Sequence, residues 1–453
     1  MKRAVILGGG IAGLVAAFRR AERKGAGETL LFEGAGRLGG AVRTFREDGF
    51  TLEAGPSTLR TNPAAEKLIA DLGLEADVVV ANPRAPRWIV RKGRARAITP
   101  GPGGIFTSAL TPAGKLRILA EPRVPPRPAE LDDESVESFV RRRFGPEAAR
   151  YAAGPIVSGV YAGDPASLSI RSAFPRLWEA EGRSGSVVRD FWRHRKEPRP
   201  PRPRTLNFRR GLEGVVDALA SRVTGSGATI FADARVSAVE GPFASEAAPK
   251  RWRVRTTDGR SIDSDSILST LDAPALARLL GERLPRSRAR LAAIASSPVA
   301  VVPLVFEPGG GAPLGFGVLV PRGEGYRSLG ILYPSSLFTG RTPEGLVATS
   351  SFLGGALDPD LVDASDEELF SIAEEEVRRL HPRLGRRAGR WLARWPSAIP
   401  RLPLGHHETL RLLEEDLAEL DGGAETLLVT GAWRDGVSLG DRIEKGARLG
   451  TVL

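Results

Sequence analysis

At 453 residues the chain is too long for one compact core, and with 42% hydrophobic residues it has enough apolar side chains to fold as two or three globular domains. It has no cysteine, which excludes disulfides, thiolate nucleophiles and Cys-ligated zinc or iron–sulfur centres; its four histidines, His194, His381, His406 and His407, show no metal spacing, so they read as surface or structural residues and no metal is expected. The net charge of +11 invites a nucleic-acid reading, but arginine is spread along the whole chain and aromatic residues are only 6%, so there is no stacking platform and no nucleic-acid partner is expected.

The chain opens on a short apolar strand, residues 2–7, that runs into Gly8-Gly9-Gly10-Ile11-Ala12-Gly13, a GxGxxG at the head of an amphipathic stretch over residues 14–24. Gly8 permits the tight turn, Gly10 lets backbone approach a pyrophosphate, and Gly13 allows close packing of helix on strand. The helix N-terminus offers phosphates its free N–H groups and the positive end of its dipole. A second strand, residues 29–32, ends at Glu33, twenty residues past Gly13, where a carboxylate accepts from ribose hydroxyls. A lone GxGxxG also occurs in ordinary glycine-rich turns; strand, helix, second strand and acid in register predict a bound dinucleotide.

Gly34, Arg37, Gly39, Gly40 and Ala41 follow at once, and Gly55, Pro56, Ser57 and Thr58 shortly afterwards. An exchanging nicotinamide dinucleotide rarely needs glycine-rich backbone beyond its first crossover unit, whereas a resident FAD does. FAD is therefore expected, with Arg37 reaching the pyrophosphate while Gly39 and Gly40 let the chain pass on toward the flavin.

Further along, two basic, proline-laden patches, residues 121–128 and 193–204, read as extended or mobile linkers. Solvated loops are the plainer reading of both, and contact with anionic lipid the alternative. Residues 132–153 form a helical stretch, acidic at its start and basic later, as the helix dipole favours. Strands are expected at residues 228–231, 235–239 and 252–255, the last turning at Asp258-Gly259 into a hairpin, and again at 266–270 and within 299–332. Ser365 to Glu368 is a capping box for a helix ending near Leu380. A buried strand from Leu427, a glycine turn and a helix opening at Ser438 would aim N–H groups at the flavin pyrimidine edge. No stretch approaches the roughly 20 apolar residues that cross a bilayer, and the opening strand leaves no room for a signal peptide. The expected location is cytoplasmic, with peripheral contact at the inner face of the cell membrane as its extension.

The chain resembles the oxygen-dependent protoporphyrinogen oxidases, within the superfamily that includes amine oxidases and phytoene desaturases. The Arg37–Gly40 R-x-G-G element belongs to that superfamily. More specific are residues 158–164 (SGVYAGD), 168–175 (LSIRSAFP) and 315–321 (GFGVLVP), while residues 398–406 depart from the family's I-P-Q-Y-x-x-G-H at Arg401 and Leu402. Ala432 stands where many relatives carry asparagine. The resemblance implies an α/β fold in three parts. These are a Rossmann-like FAD-binding domain of the p-hydroxybenzoate hydroxylase type (1–80, 205–285 and 405–453), a mixed-sheet α+β substrate domain (81–100 and 286–404), and a mostly helical domain for membrane association (101–204).

Carried over residue by residue, the flavin contacts implied are Gly8 to Gly13, Glu33, Gly34, Ala41, Gly55, Pro56, Ser57, Thr58, Val236, Ala432, Val437, Ser438 and Leu439. Arg87 stands where the family binds a propionate, and Gly159, Phe316 and Leu319 match positions lining a flat apolar slot. The implied reaction is oxidation of protoporphyrinogen IX to protoporphyrin IX in haem synthesis, with hydride going to FAD, dioxygen as acceptor and hydrogen peroxide as by-product. The cofactor carries the chemistry, so no catalytic side chain is assigned. FAD is expected to be non-covalent, since there is no cysteine and the histidines lie away from the flavin motifs. A coproporphyrinogen III to coproporphyrin III oxidase on the same scaffold, and a non-catalytic binding protein like the GDP-dissociation inhibitors, are the alternatives; retention of every cradle glycine and of Glu33 argues against the second. A homodimer is left open.

Overall fold

The computed structural model describes residues 2–99, 107–197, 202–245, 248–311 and 314–453. Its centre is a five-stranded parallel sheet, ordered Thr229–Phe231, Glu28–Phe32, Arg3–Leu7, Ser266–Ser269 and Leu427–Val429. Period-two alternation divides the apolar residues of the Arg3–Leu7 strand between two cores. Ala4 and Ile6 face the helices Ile11–Ala21, Glu213–Gly225 and Leu439–Val452. Val5 and Leu7 face Trp252 and Val254 of an antiparallel three-stranded sheet together with the helices Ala273–Leu280 and His406–Asp421. Covered on both faces, these strands carry near-continuous apolar runs such as Ala4 to Leu7, Leu30 to Phe32 and Leu427 to Val429, as buried parallel strands do. The last helix reaches the first through small residues: Gly446 lies on the backbone of Ala12 and Gly450 on that of Ala16.

A second, eight-stranded sheet is built around Ser296–Phe306 and extends through Val347–Gly354, Gly330–Leu332, Gly317–Leu319, Arg87–Arg91 and Arg94–Ile98. Helix Asp366–Leu380 covers it, and Ser365 caps that helix by accepting from Glu368 N–H at 3.2 Å, as the capping box predicts. The hairpin also forms, between Ala248–Thr256 and Ser261–Ser264.

The helical part departs from expectation in two places. Residues 132–153 are not one helix: Ser135 caps Val136–Phe144, and Gly145, at φ 93° and followed by Pro146, stops it. The chain then restarts through Pro146–Ala148 and a wide turn, Ala149–Ala153, into the helix Gly154–Tyr161. Nor is residues 121–128 a mobile linker. Glu121 and Arg143 are completely buried against each other, with Arg143 Nε donating to Glu121 Oε1 at 2.7 Å, and Arg127 donates to Glu181 while stacking 3.6 Å from the Trp178 ring centroid. Charge pairing has turned a proline-rich basic stretch into packed structure. In the second patch Arg193 ends the helix Val187–Arg193 and Arg204 pairs with Glu66; residues 198–201 lie outside the described residues.

Candidate active site

The glycine turn is assembled as its spacing predicts. Gly8 N–H donates to Phe32 O at 2.8 Å, joining the first two strands where the turn begins. Glu33 Oε2 accepts from Gly9 N–H at 2.7 Å and Oε1 from Ala35 N–H at 2.9 Å, so the acid organises the cradle as well as facing it. Gly10 caps helix Ile11–Ala21 without a side chain, which leaves the first-turn N–H groups to a ligand. A Cβ on Gly13 would overlap Gly8 O, whereas a Cβ on Gly10 would meet nothing within 4 Å. Space therefore exists at Gly10, the position where a pyrophosphate would approach the backbone.

Gly39 N–H donates to Gly9 O at 2.8 Å, laying the second glycine loop beside the first, and Gly40 comes within 3.3 Å of Gly10 as judged from its Cβ direction. Arg37 is placed differently from expectation. Its guanidinium donates to the carbonyls of Leu38, Gly40 and Val42 and lies 5.5 Å from the Trp395 ring centroid, so it braces its own loop. Gly34 lies against Arg235, one residue before Val236, and Ala234 N–H donates to Glu33 O, which brings Val236 beside the acid. Gly55 packs directly on Ala41 O, so the strap Gly55, Pro56, Ser57 and Thr58 joins the same wall.

At the C-terminal end, Ser438 caps Leu439–Val452 by accepting from Asp441 N–H at 3.1 Å, with Val437 before it and Ala432 in the preceding short turn. Gly440 sits on Arg60 O, tying this helix start to the chain that leaves the strap. One expectation is corrected here. The histidines do not all lie away from the flavin motifs: buried His406, pushed down in pKa by desolvation and hence neutral, donates Nε2–H to Trp433 O at 2.7 Å, next to Ala432.

The four residues expected around a substrate meet in two contacts at neighbouring strands. Strands Arg87–Arg91 and Gly317–Leu319 run parallel, pairing Arg87 with Gly317 and Ile89 with Leu319. Arg87 lies 4.8 Å from the Phe316 ring centroid, and Gly159 faces Leu319, where a Cβ would come within 2.6 Å. Ile156 and Val160, one turn apart on the same helix as Gly159, remain exposed apolar side chains. Burial and the nearby Arg60 charge push the Arg87 pKa down, and no carboxylate among the described residues pairs with it.

Sequence reasoning missed the residues that join cradle and slot. Trp395 of the second sheet donates Nε1–H to Ala54 O at 2.6 Å. Buried Asn207 donates to Glu53 at 2.9 Å and to Ser57 O at 3.0 Å, and buried Arg341 donates to Phe208 O at 2.6 Å. Desolvation raises the Glu53 pKa and lowers that of Arg341. An asparagine between Leu206 and Phe208 in the Thr205–Phe208 strand was the available signal.

Residues 11–448 match the model of the flavin containing amine oxidoreductases. The chain belongs to this family. It is an FAD-dependent oxidoreductase. It is 30% identical to a chloroplastic protoporphyrinogen oxidase of rice (Oryza sativa) over 97% of this chain and 86% of the relative, and 27% identical to the coproporphyrinogen III oxidase of Bacillus subtilis over 98% and 96%. A solved Exiguobacterium structure assigned as a protoporphyrinogen oxidase superposes with a TM-score of 0.81 at 24% identity, covering 100% of this chain and 98% of its own; at that identity the likeness is one of fold. Amine oxidase relatives share that fold, including cyclohexylamine oxidase from Brevibacterium, with a TM-score of 0.70 over 100% of this chain and 98% of that one, at 16% identity. Among the described residues no cluster fit to hold a metal is found.

Proposed function

We propose that the protein oxidises protoporphyrinogen IX to protoporphyrin IX, with dioxygen as the final acceptor and hydrogen peroxide as by-product. The observation that carries this reading is an arginine that no carboxylate among the described residues pairs with, stacked on Phe316 just before the strand whose Leu319 meets Gly159. A flat hydrophobic macrocycle with anionic side arms fits that combination, and an aliphatic amine does not. Near full-length similarity to protoporphyrinogen oxidases supports it.

FAD, when bound, supplies the two-electron acceptor for hydride. The protein's part is to bind and orient. The turn at Gly8 to Gly13 and Glu33 hold the dinucleotide, and Gly55 to Thr58, Val236, Ala432 and Val437 to Leu439 line the rest of it. Arg87 holds one propionate and so fixes which bridging carbon is presented. Gly159, Phe316 and Leu319 give the ring an apolar face to lie on. The labour divides among a cofactor domain (1–80, 205–285 and 405–453), a substrate domain (81–100 and 286–404) and a helical domain (101–204). Exposed Leu116, Leu119 and Trp192 on this last part support contact with a membrane surface, and none of the described helices is long and apolar enough to cross a membrane. Pelleting with anionic vesicles that is lost when these three become serine is the expected result; pelleting unchanged by the substitutions would contradict it.

Coproporphyrinogen III oxidation is the second reading, favoured by the Bacillus subtilis relative. Aerobic assays with each porphyrinogen separate them. Porphyrin fluorescence rising above autoxidation, with hydrogen peroxide formed and protoporphyrinogen IX giving the higher kcat/KM, is expected; a higher value for coproporphyrinogen III would transfer the assignment.

A further inference from the structure

Arg60 has no assigned role, yet its position is fixed by both the cofactor strap and the slot. In the strand Leu59–Arg60, Leu59 is buried in the cradle core, so alternation turns Arg60 to the opposite face. Arg60 pairs with Thr205, whose carbonyl accepts from Ala81 N–H at 2.9 Å on its other side. Ala81 packs with Phe316, Leu337 and Phe338, and Phe316 is the ring on which Arg87 stacks. Strand pairing through Thr205 and packing through Ala81 thus join Arg60 to the ring on which Arg87 stacks, and the Arg60 charge acts on Arg87. No ion pair to either is found among the described residues, and Glu66, the next acid after Arg60 in the chain, is taken by Arg204 at 2.9 Å. Two guanidinium charges on neighbouring elements that act on one another favour a dianion over a monoanion as their ligand.

We infer that Arg60 and Arg87 form a paired-guanidinium site for two neighbouring carboxylates of one substrate molecule, with Arg60 the specificity-determining second contact. This rests on the porphyrinogen reading, since a porphyrinogen carries propionates on adjacent pyrrole rings. Planar guanidiniums pair with carboxylates bidentately, so the two contacts together fix the ring's rotation within the slot, where one alone would leave it free to pivot.

Anaerobic reduction of the bound flavin tests it, with protoporphyrinogen IX and its dimethyl ester offered to wild type, Arg60→Gln, Arg87→Gln and the double variant. The site predicts that Arg60→Gln loses about tenfold or more in the second-order rate constant of flavin reduction by the diacid, with little change on the diester and unchanged FAD content. The double variant should no longer prefer diacid to diester. Equal losses on diacid and diester, wild-type behaviour of Arg60→Gln, or loss of FAD from it would each overturn the paired site. If wild type is reduced by neither compound, the porphyrinogen reading falls; if wild type is reduced and Arg60→Gln matches it, the paired site alone falls.

Discussion

Glu33 accepts from Gly9 and Ala35, so its carboxylate is held in place by the backbone of the cradle itself. Ribose hydroxyls that bind it meet a preorganised charged acceptor, and Glu33→Ala should weaken FAD by about 1.5–3 kcal/mol. Titrating the apoprotein with FAD measures this; unchanged affinity would put the ribose elsewhere. His381 gives a pH prediction. Burial drops its pKa from 6.5 to about 4, and its Nε2 contacts Tyr333 Oη at 2.9 Å. Between those values the unfolded chain binds a proton that the native chain refuses, so stability falls as pH drops from about 6.5 toward 4. The Tm of His381→Gln should fall less over that window than wild type's; parallel curves would contradict the assignment. Gly8, Gly10, Gly13 and Glu33 were legible because their partners are near in sequence and their spacing encodes the geometry. Asn207 and Trp395 were not, because their partners lie 154 and 341 residues away.

The first two glycine-dependent contacts of the opening helix separate cofactor binding from folding. Gly13 has Gly8 O against it and Gly10 has open space, so Gly10→Ala should leave the Tm of the apoprotein near wild type while reducing FAD retention. Gly13→Ala should lower both. Scanning calorimetry of the apoproteins beside FAD titration decides this, and equal thermal loss in the two variants would refute the geometry. Helix caps at Ser365 and Ser438 were readable from local residue order. The break at Gly145-Pro146 was also written in the chain, but the favourable acidic-to-basic charge gradient pointed to one continuous helix. Pairing across helices explains the other miss: arginines 127 and 143 look like solvated linker and surface charge until Glu181 and Glu121 meet them. Removing one partner strands a buried charge, so Arg143→Ala should cost about 3–5 kcal/mol. Urea denaturation measures it, and a loss below about 1 kcal/mol would mean the pair is not buried in solution.

At the scale of the whole molecule, the parallel sheet draws strands from three distant stretches of chain, and helix packing through Gly446 and Gly450 closes it around the first helix. Local patterning announced the individual strands, but their order depends on which faces bury which, a property of the assembled cores. The second sheet then meets this unit through Trp395 and Arg341, and Arg87, stacked on Phe316, lies within the charge influence of Arg60, whose carbonyl meets Gly440 at the start of the last helix. The proposed function depends on that juxtaposition, because a porphyrinogen held in the slot would have to give up hydride to FAD held by the cradle. Mixing the FAD-loaded protein with protoporphyrinogen IX in the absence of dioxygen tests it most directly. Bleaching of the visible flavin band with matching formation of oxidised product is the predicted result, and a flavin that stays oxidised in the presence of excess porphyrinogen would contradict it.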